Sequence, residues 1–263
     1  VAHLAAVLGE PWIAGVLLLA TRIAALLLLT PVLYAIPVPT IARLLITVGL
    51  ACVIALPFAD QMAVAPGSIG GLVYAALQEA AIGATLGFGV LMAFAGFALA
   101  GRLADIQIGF GVAQVFDPLT RTQQPILSAI ISLFAVVFFF AINGHHALLR
   151  GIAFSVERMP IGSGWSAASS AEPITRQAAV LFGLGFALAG PVVLSLLLLD
   201  FALGIVSRNL PQMNMLVLGI PVKIVAGLVA LSAWAAAMGA PAARLYAGIF
   251  QAWSAWLTAA GTR

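Results

Sequence analysis

The sequence predicts an all-α, membrane-associated protein, and three observations carry that prediction. Of its 263 residues 63% are hydrophobic and only 7% charged, where a soluble domain carries about 25% charged residues. The few charges leave long uncharged runs between them, among them 23–42, 80–101, 122–149, 177–199 and 224–243, and about 20 apolar residues suffice to cross a bilayer. The runs are separated by short segments rich in proline, glycine, serine and asparagine, none of them a polar linker long enough to join independent domains. Residues 1–263 therefore read as a single integral unit.

The first helix is expected over residues 12–30, with Arg22 as its one charge. Pro31, Pro37 and Pro39 then bend or break the chain, because proline lacks an amide donor and its ring clashes with the preceding turn. A second helix is expected over 40–57, followed by a polar turn with Asp60, Gln61, Pro66 and Gly67, after which Ser68 can cap the next helix. That third helix, 69–104, would be about 50 Å long at 1.5 Å per residue, more than one hydrocarbon core. Its Gly83, Gly87 and Gly96 allow another helix backbone to approach closely.

Residues 126–142 and 146–156 are apolar and joined through Asn-Gly-His-His. A loop is expected over 157–173, then a long helix over 174–206, a break at Ser-Arg-Asn-Leu-Pro-Gln-Met-Asn, a helix over 215–237 containing Pro221 and Lys223, and a last, Trp-bearing helix over 242–260. The proline-broken stretches 37–51 and 219–231 resemble each other faintly, each with a basic residue just after proline, but two short apolar matches do not establish an internal repeat.

Ten Arg and one Lys against eight acids give a net charge of +3, spread without a cluster, which offers no support for nucleic-acid binding. Arginine and lysine are so evenly placed that charge does not orient the helices across a membrane. The one cysteine, Cys52, lies within an apolar run and is expected to be a small buried residue. The N-terminus lacks the basic region and small-residue cleavage site of a secretory signal, so the first apolar run is expected to be retained. Val1 in place of Met points to processing, a trimmed start or an alternative start codon.

Enzymatic constellations are weak. His145 and His146 are adjacent, without the i, i+4 spacing of a zinc helix; Ser155 has no Gly-x-Ser-x-Gly context; and Gly-Phe-Gly-Val-Ala-Gln is not a nucleotide-binding fingerprint. No catalytic residue, metal or cofactor is expected. Ionisable residues inside apolar runs are costly unless paired or wet, which singles out Arg22, Arg43, Glu79, Arg102, Asp105, Asp200 and Lys223. Arg102 and Asp105 are spaced i, i+3 and can pair locally. Glu79, Asp200 and Lys223 have no near partner in sequence, so contacts between helices or subunits, or a water-lined path, are expected for them.

Residues 105–125, Asp-Ile-Gln-Ile-Gly-Phe-Gly-Val-Ala-Gln-Val-Phe-Asp-Pro-Leu-Thr-Arg-Thr-Gln-Gln-Pro, suit neither a lipid-facing helix nor an ordinary loop. Bulky apolar residues alternate with Gln107, Gln114 and the small Gly109, Gly111 and Ala113. On composition alone an interfacial connector and a gate fit this segment equally.

Five blocks in order across residues 100–225 resemble the FliR family of flagellar type III export proteins: the 102–118 segment, Pro-Ile-Leu-Ser, Phe-Phe-Phe-Ala-Ile-Asn-Gly-His-His-Ala-Leu-Leu-Arg, Ser-Val-Glu-Arg-Met-Pro-Ile-Gly, and Leu-Pro-Gln-Met-Asn-Met-Leu-Val-Leu-Gly-Ile-Pro-Val-Lys-Ile. The injectisome counterpart, SctT, is similar too, and the Pro-Gln-Met-Asn block looks more flagellar. The resemblance implies a non-enzymatic subunit of an export gate for unfolded protein substrates, in the bacterial inner membrane within the flagellar basal body. Long kinked helical hairpins would assemble there with FliP-like and FliQ-like sister proteins into a spiral complex, beside FlhB-like and FlhA-like components. It implies that 105–125 closes the central pore, with Gln107, Gly109, Phe110, Gly111, Gln114, Phe116, Asp117 and Pro118 on the motif positions. Phe110 and Phe116 would fill the lumen, the glycines would let the backbone swing aside, and the glutamines would offer neutral hydrogen bonds. Glu79, Arg102, Asp105, Asp200 and Lys223 would be inter-subunit or pore-lining charges. A small-solute secondary transporter and an intramembrane hydrolase using Ser155 or His145 are the readings from other classes.

Overall fold

The computed structural model describes residues 10–33, 38–61, 68–110, 125–210 and 215–261. The longer elements among these residues are eight α-helices: α1 Glu10–Leu29, α2 Thr40–Ala55, α3 Ile69–Ile108, α4 Ile126–Ala141, α5 Gly144–Arg158, α6 Ala167–Asn209, α7 Met215–Ala237 and α8 Gly239–Gly261. Short 3₁₀ turns follow α1 at Pro31–Leu33 and α2 at Leu56–Gln61, where the prolines end the α-helical ladder. No strand occurs among the described residues, so the chain is all-α.

Five stretches are long and apolar enough to cross a membrane: Pro11–Leu29, Thr40–Phe58, Ile69–Ile108, Ser170–Asn209 and Val217–Ala237; α4 and α5, taken together as one broken span, would make a sixth. The 40 residues of α3 and the 43 of α6 correspond to about 60 Å or more of helix, roughly twice a hydrocarbon core of about 30 Å. Such helices outrun a bilayer even when tilted.

Local sequence explains several boundaries. Ser68 caps α3, its Oγ accepting from the Gly71 amide at 3.1 Å, as a serine at that position should. Between α4 and α5, Asn143 takes the left-handed conformation, φ 59°, which asparagine tolerates better than most residues. The expected loop 157–173 is shorter than the sequence indicates: α6 begins at Ala167 and carries Pro173 inside it. Tertiary packing outweighs the proline there, because Ser170 is buried and accepts from Trp256 Nε1 at 3.3 Å. Cys52 is half-buried rather than enclosed.

The chain folds as two compact units, each assembled from distant segments. The first comprises Val1–Met92, Asn143–Ala179 and Gly248–Arg263. In it α1 lies against α3 so closely that a Cβ at Gly83 would fall on the Arg22 carbonyl and one at Gly87 would meet Leu26 and Leu29. Leu18, Leu19, Ile23 and Leu26 of α1 are buried, as are Ile82 and Leu86 of α3, Ile152 and Val156 of α5, and Ile249 and Leu257 of α8.

The second unit comprises Ala93–Ile142 and Val180–Ala247. Its centre is aromatic: Tyr246 lies 5.6 Å from both Phe94 and Phe97, 5.3 Å from Phe139 and 6.3 Å from Phe138 between ring centroids. Its hydroxyl donates to the Ala135 carbonyl at 2.7 Å, which satisfies the one polar atom the cluster encloses. Gly96 of α3 and Gly185 of α6 form a backbone crossing: a Cβ on either glycine would run into the other.

Candidate functional site

The 105–125 segment leaves α3 at a defined place. Ile108, the last residue of the helix, is fully buried; Gly109 follows with φ 96° and its amide on the Asp105 carbonyl at 3.2 Å. A positive φ of this kind costs glycine nothing and other residues about 1 kcal/mol or more, so Gly109 is where the chain turns out of the helix. Among the described residues nothing lies within 4 Å of a Cβ built there, while the positive φ itself favours glycine. Gln107, Gly109 and Phe110 are half-buried. Gly111, Gln114, Phe116, Asp117 and Pro118 lie outside the described residues.

The chain re-enters at Pro125 and begins α4. Proline brings no side-chain acceptor to the start of this helix, whose first amides have no partner of their own. Asp105 supplies one from α3: its Oδ1 accepts from the Leu127 amide at 3.1 Å and its Oδ2 from the Ser128 amide at 3.0 Å. A carboxylate there also meets the positive end of the helix dipole. Ser128 Oγ donates to the Ala98 carbonyl at 3.1 Å, and the Ser128 backbone sits where a Cβ on Gly101 would be. Both ends of the segment are thus fastened to one stretch of α3, residues 98–109.

This geometry corrects the expected local pair. Asp105 is buried and directs both oxygens to α4, while Arg102 is exposed and makes no ion pair with it. Ranked by need, two orphan amides at a buried helix start outweigh a solvent-exposed i, i+3 pair worth a few tenths of a kcal/mol.

Glu79 meets its partner within the chain. Its Oε2 lies 2.6 Å from Arg22 Nε, and its Oε1 accepts from the Gly162 amide at 2.9 Å. Arg22 spends its remaining nitrogens on Ser155 Oγ at 3.2 Å and the Met159 carbonyl at 3.0 Å. Arg22, Glu79 and Ser155 are all buried. The network joins α1, α3, α5 and the turn after α5, and satisfies the buried charges on every side. The Ser155 hydroxyl donates to the Ile152 carbonyl at 2.7 Å while receiving Arg22, so no base holds it as a nucleophile.

Asp200 of α6 and Lys223 of α7 form a second ion pair, with Nζ 2.8 Å from Oδ1 and 2.9 Å from Oδ2. It is 38% exposed at the aspartate and 22% at the lysine, and Leu197, one turn before Asp200, is also exposed.

Sequence reasoning counts Arg22 among costly charges without making it a site residue, and misses Gly162, Met159 and the α4 amides as partners. Backbone atoms carry no sequence signal; the absence of a capping side chain at Pro125 is the one available hint for Asp105.

Residues 13–248 match the family described as bacterial export proteins, family 1. The chain is 36% identical over 159 residues to the flagellar biosynthetic protein FliR of Bacillus subtilis, an alignment covering 59% of this chain and 61% of that protein. It is 31% identical over 158 residues to that of Escherichia coli, covering 60% of each, and 32% identical over 160 residues to that of Aquifex aeolicus, covering 61% of each. The match spans about 60% of the length of these relatives.

Proposed function

The chain belongs to the bacterial export proteins, family 1, and from that premise we propose that it is a non-enzymatic subunit of a flagellar protein export gate, acting as one integral unit and needed for flagellum assembly. It forms part of the conduit for unfolded protein substrates, and the 105–125 segment closes that conduit. The observation that carries this reading is the fastening at the segment's base. Asp105 ties the start of α4 to the end of α3, and Gly109 turns the chain out of the helix between them. A segment held at both ends can change its conformation while its base stays fixed. On this reading Phe110 and Phe116 obstruct the lumen, Gly109 and Gly111 give freedom to move, and Gln107 and Gln114 line the path without charge that would trap a substrate.

The long helices favour an assembled state. α3 and α6 exceed a bilayer, and α2, α6 and α7 expose many large apolar side chains, so protein neighbours as well as lipid must cover them. FliP-like and FliQ-like sister proteins in the bacterial inner membrane, within the basal body, are the proposed cover, in a spiral arrangement of helical hairpins. FlhB-like and FlhA-like components and the unfolded substrates complete the proposed partners.

Removing residues 109–114 tests the reading. The shortened chain should still assemble with its sister proteins, and cells carrying it should become leaky to small solutes. A tight membrane around a normally assembled complex would overturn the plug. Solute exchange catalysed in liposomes by the purified chain alone would overturn the gate in favour of a secondary transporter.

A further inference from the structure

The second unit contains a cleft that the export reading does not use. It has a volume of about 440 Å³ and lies among α6, α7 and the start of α8. Leu188, Trp234 and Met238 are buried at its floor, small alanines of α6 and α7 form its walls, and Arg244 stands exposed among its lining residues.

The polar groups of this cleft are already satisfied, with one exception. Trp234 Nε1 donates to the Leu188 carbonyl at 2.6 Å, so the indole presents its apolar face. Ser195 Oγ donates to the Pro191 carbonyl at 2.8 Å. Arg244 has no anion: of the carboxylates described in this unit, Asp105 is committed to the α4 amides and Asp200 to Lys223. An apolar cleft with one unpaired guanidinium asks for a ligand with an apolar body and an anionic end.

We propose that this cleft binds an anionic phospholipid, one acyl chain lying against Leu188, Trp234 and Met238 and the phosphate paired with Arg244. Size favours a chain of this kind over a protein segment. The cleft falls in the range of small-molecule pockets, about 300–1,000 Å³, while a helix with its side chains is about 10 Å across. Charge complementarity selects the headgroup, because a planar guanidinium pairs with phosphate through two parallel hydrogen bonds and an arginine stem tolerates apolar surroundings while its head reaches the interface. The inference stands on the cleft and Arg244 and does not depend on the gate.

The test is lipid retention by the full chain in its native complex, reconstituted in bilayers of equal parts phosphatidylglycerol and phosphatidylcholine, re-extracted and analysed by mass spectrometry. Wild type should retain phosphatidylglycerol preferentially, and Arg244→Gln should lose about fivefold of that preference, as expected for one basic residue near an anionic headgroup. Ala233→Phe, which fills the cleft from an exposed position while keeping the charge, should lower retention of both lipids. Equal retention of the two lipids by wild type, an undiminished preference in Arg244→Gln, or unchanged retention in Ala233→Phe would each overturn the proposal. So would a photo-crosslinker placed at Ala233 that couples to a protein neighbour instead of lipid.

Discussion

Arg22 and Glu79 lie 57 positions apart in the chain and meet as a fully buried ion pair, Nε to Oε2 2.6 Å. Neither charge can be solvated, and each is completed by further hydrogen bonds to Ser155, Met159 and Gly162. Removing one partner leaves the other charge buried and uncompensated. Arg22→Met or Glu79→Gln should therefore cost about 3–5 kcal/mol. The double variant should be less damaging than the sum of the two, though still weaker than wild type, because Ser155 Oγ and the Met159 carbonyl lose the guanidinium that donates to them. Thermal unfolding of the detergent-purified chain in a double-mutant cycle measures this, and additive single effects would show that the pair is not coupled.

Asp105 serves the start of α4 rather than Arg102. Asp105→Ala should lose about 1–2 kcal/mol, the range of a lost helix cap, and amide exchange should accelerate first at Leu127 and Ser128. Asp105→Asn keeps one acceptor oxygen and should fall between the two. Arg102→Ala should leave exchange at those amides unchanged. If the base of the 105–125 segment holds the conduit closed, Asp105→Ala should also raise small-solute leakage in an assembled complex.

What could be read from sequence divides along a physical line. Uncharged runs between Glu79 and Arg102 or between Arg176 and Asp200 marked α3 and α6, because helices that bury or face apolar surroundings exclude charge over their whole length. Gly83, Gly87 and Gly96 marked close helix contacts, since only the missing side chain permits them. The pairing of Arg22 with Glu79, the capping of Leu127 by Asp105 and the early start of α6 under Trp256 were not legible. Each depends on a partner far away in sequence, and in the capping by Asp105 that partner is backbone, which has the same chemistry at every position.

Gly96 and Gly185 touch backbone to backbone where α3 crosses α6 within the second unit. Gly96→Ala or Gly185→Ala should destabilise by about 1–3 kcal/mol, the cost of overpacking a close contact. Gly190, also in α6, has nothing within 4 Å of a Cβ, and Gly190→Ala should be neutral or stabilise by up to about 1 kcal/mol through the unfolded chain. Parallel unfolding curves checking these three variants should separate the crossing from an ordinary helical glycine.

Tyr246 sits at the centre of the aromatic cluster, in a helix outside the five candidate spans. Burial disfavours its phenolate and pushes its pKa well above the ordinary 10.0. The folded chain therefore holds the proton that the unfolded chain releases from about pH 10 upward, and stability falls as pH rises through that range. Tyr246→Phe should cost about 1 kcal/mol at neutral pH for the hydrogen bond to Ala135. It should also lose this tyrosine's share of the alkaline decline between about pH 9 and 11. Thermal midpoints of both proteins across that range provide the check.

Asp200 and Lys223 share a partly exposed position beside exposed Leu197. An ion pair in water would contribute about 0–1 kcal/mol. An unpaired charge within apolar surroundings costs about 2.5–3.5 kcal/mol or more, so the environment of the face decides the outcome. If lipid or another subunit covers it, Asp200→Asn should leave Lys223 uncompensated and sharply reduce recovery of the assembled complex. The neutral double variant Asp200→Asn with Lys223→Met should then restore assembly. If the face lines a water-filled path, the single variant should assemble normally, and its effect should appear instead as altered passage of charged substrates. Co-purification yields for the two variants, set beside secretion measured in the same cells, distinguish a charge that is hidden on assembly from one that remains in water.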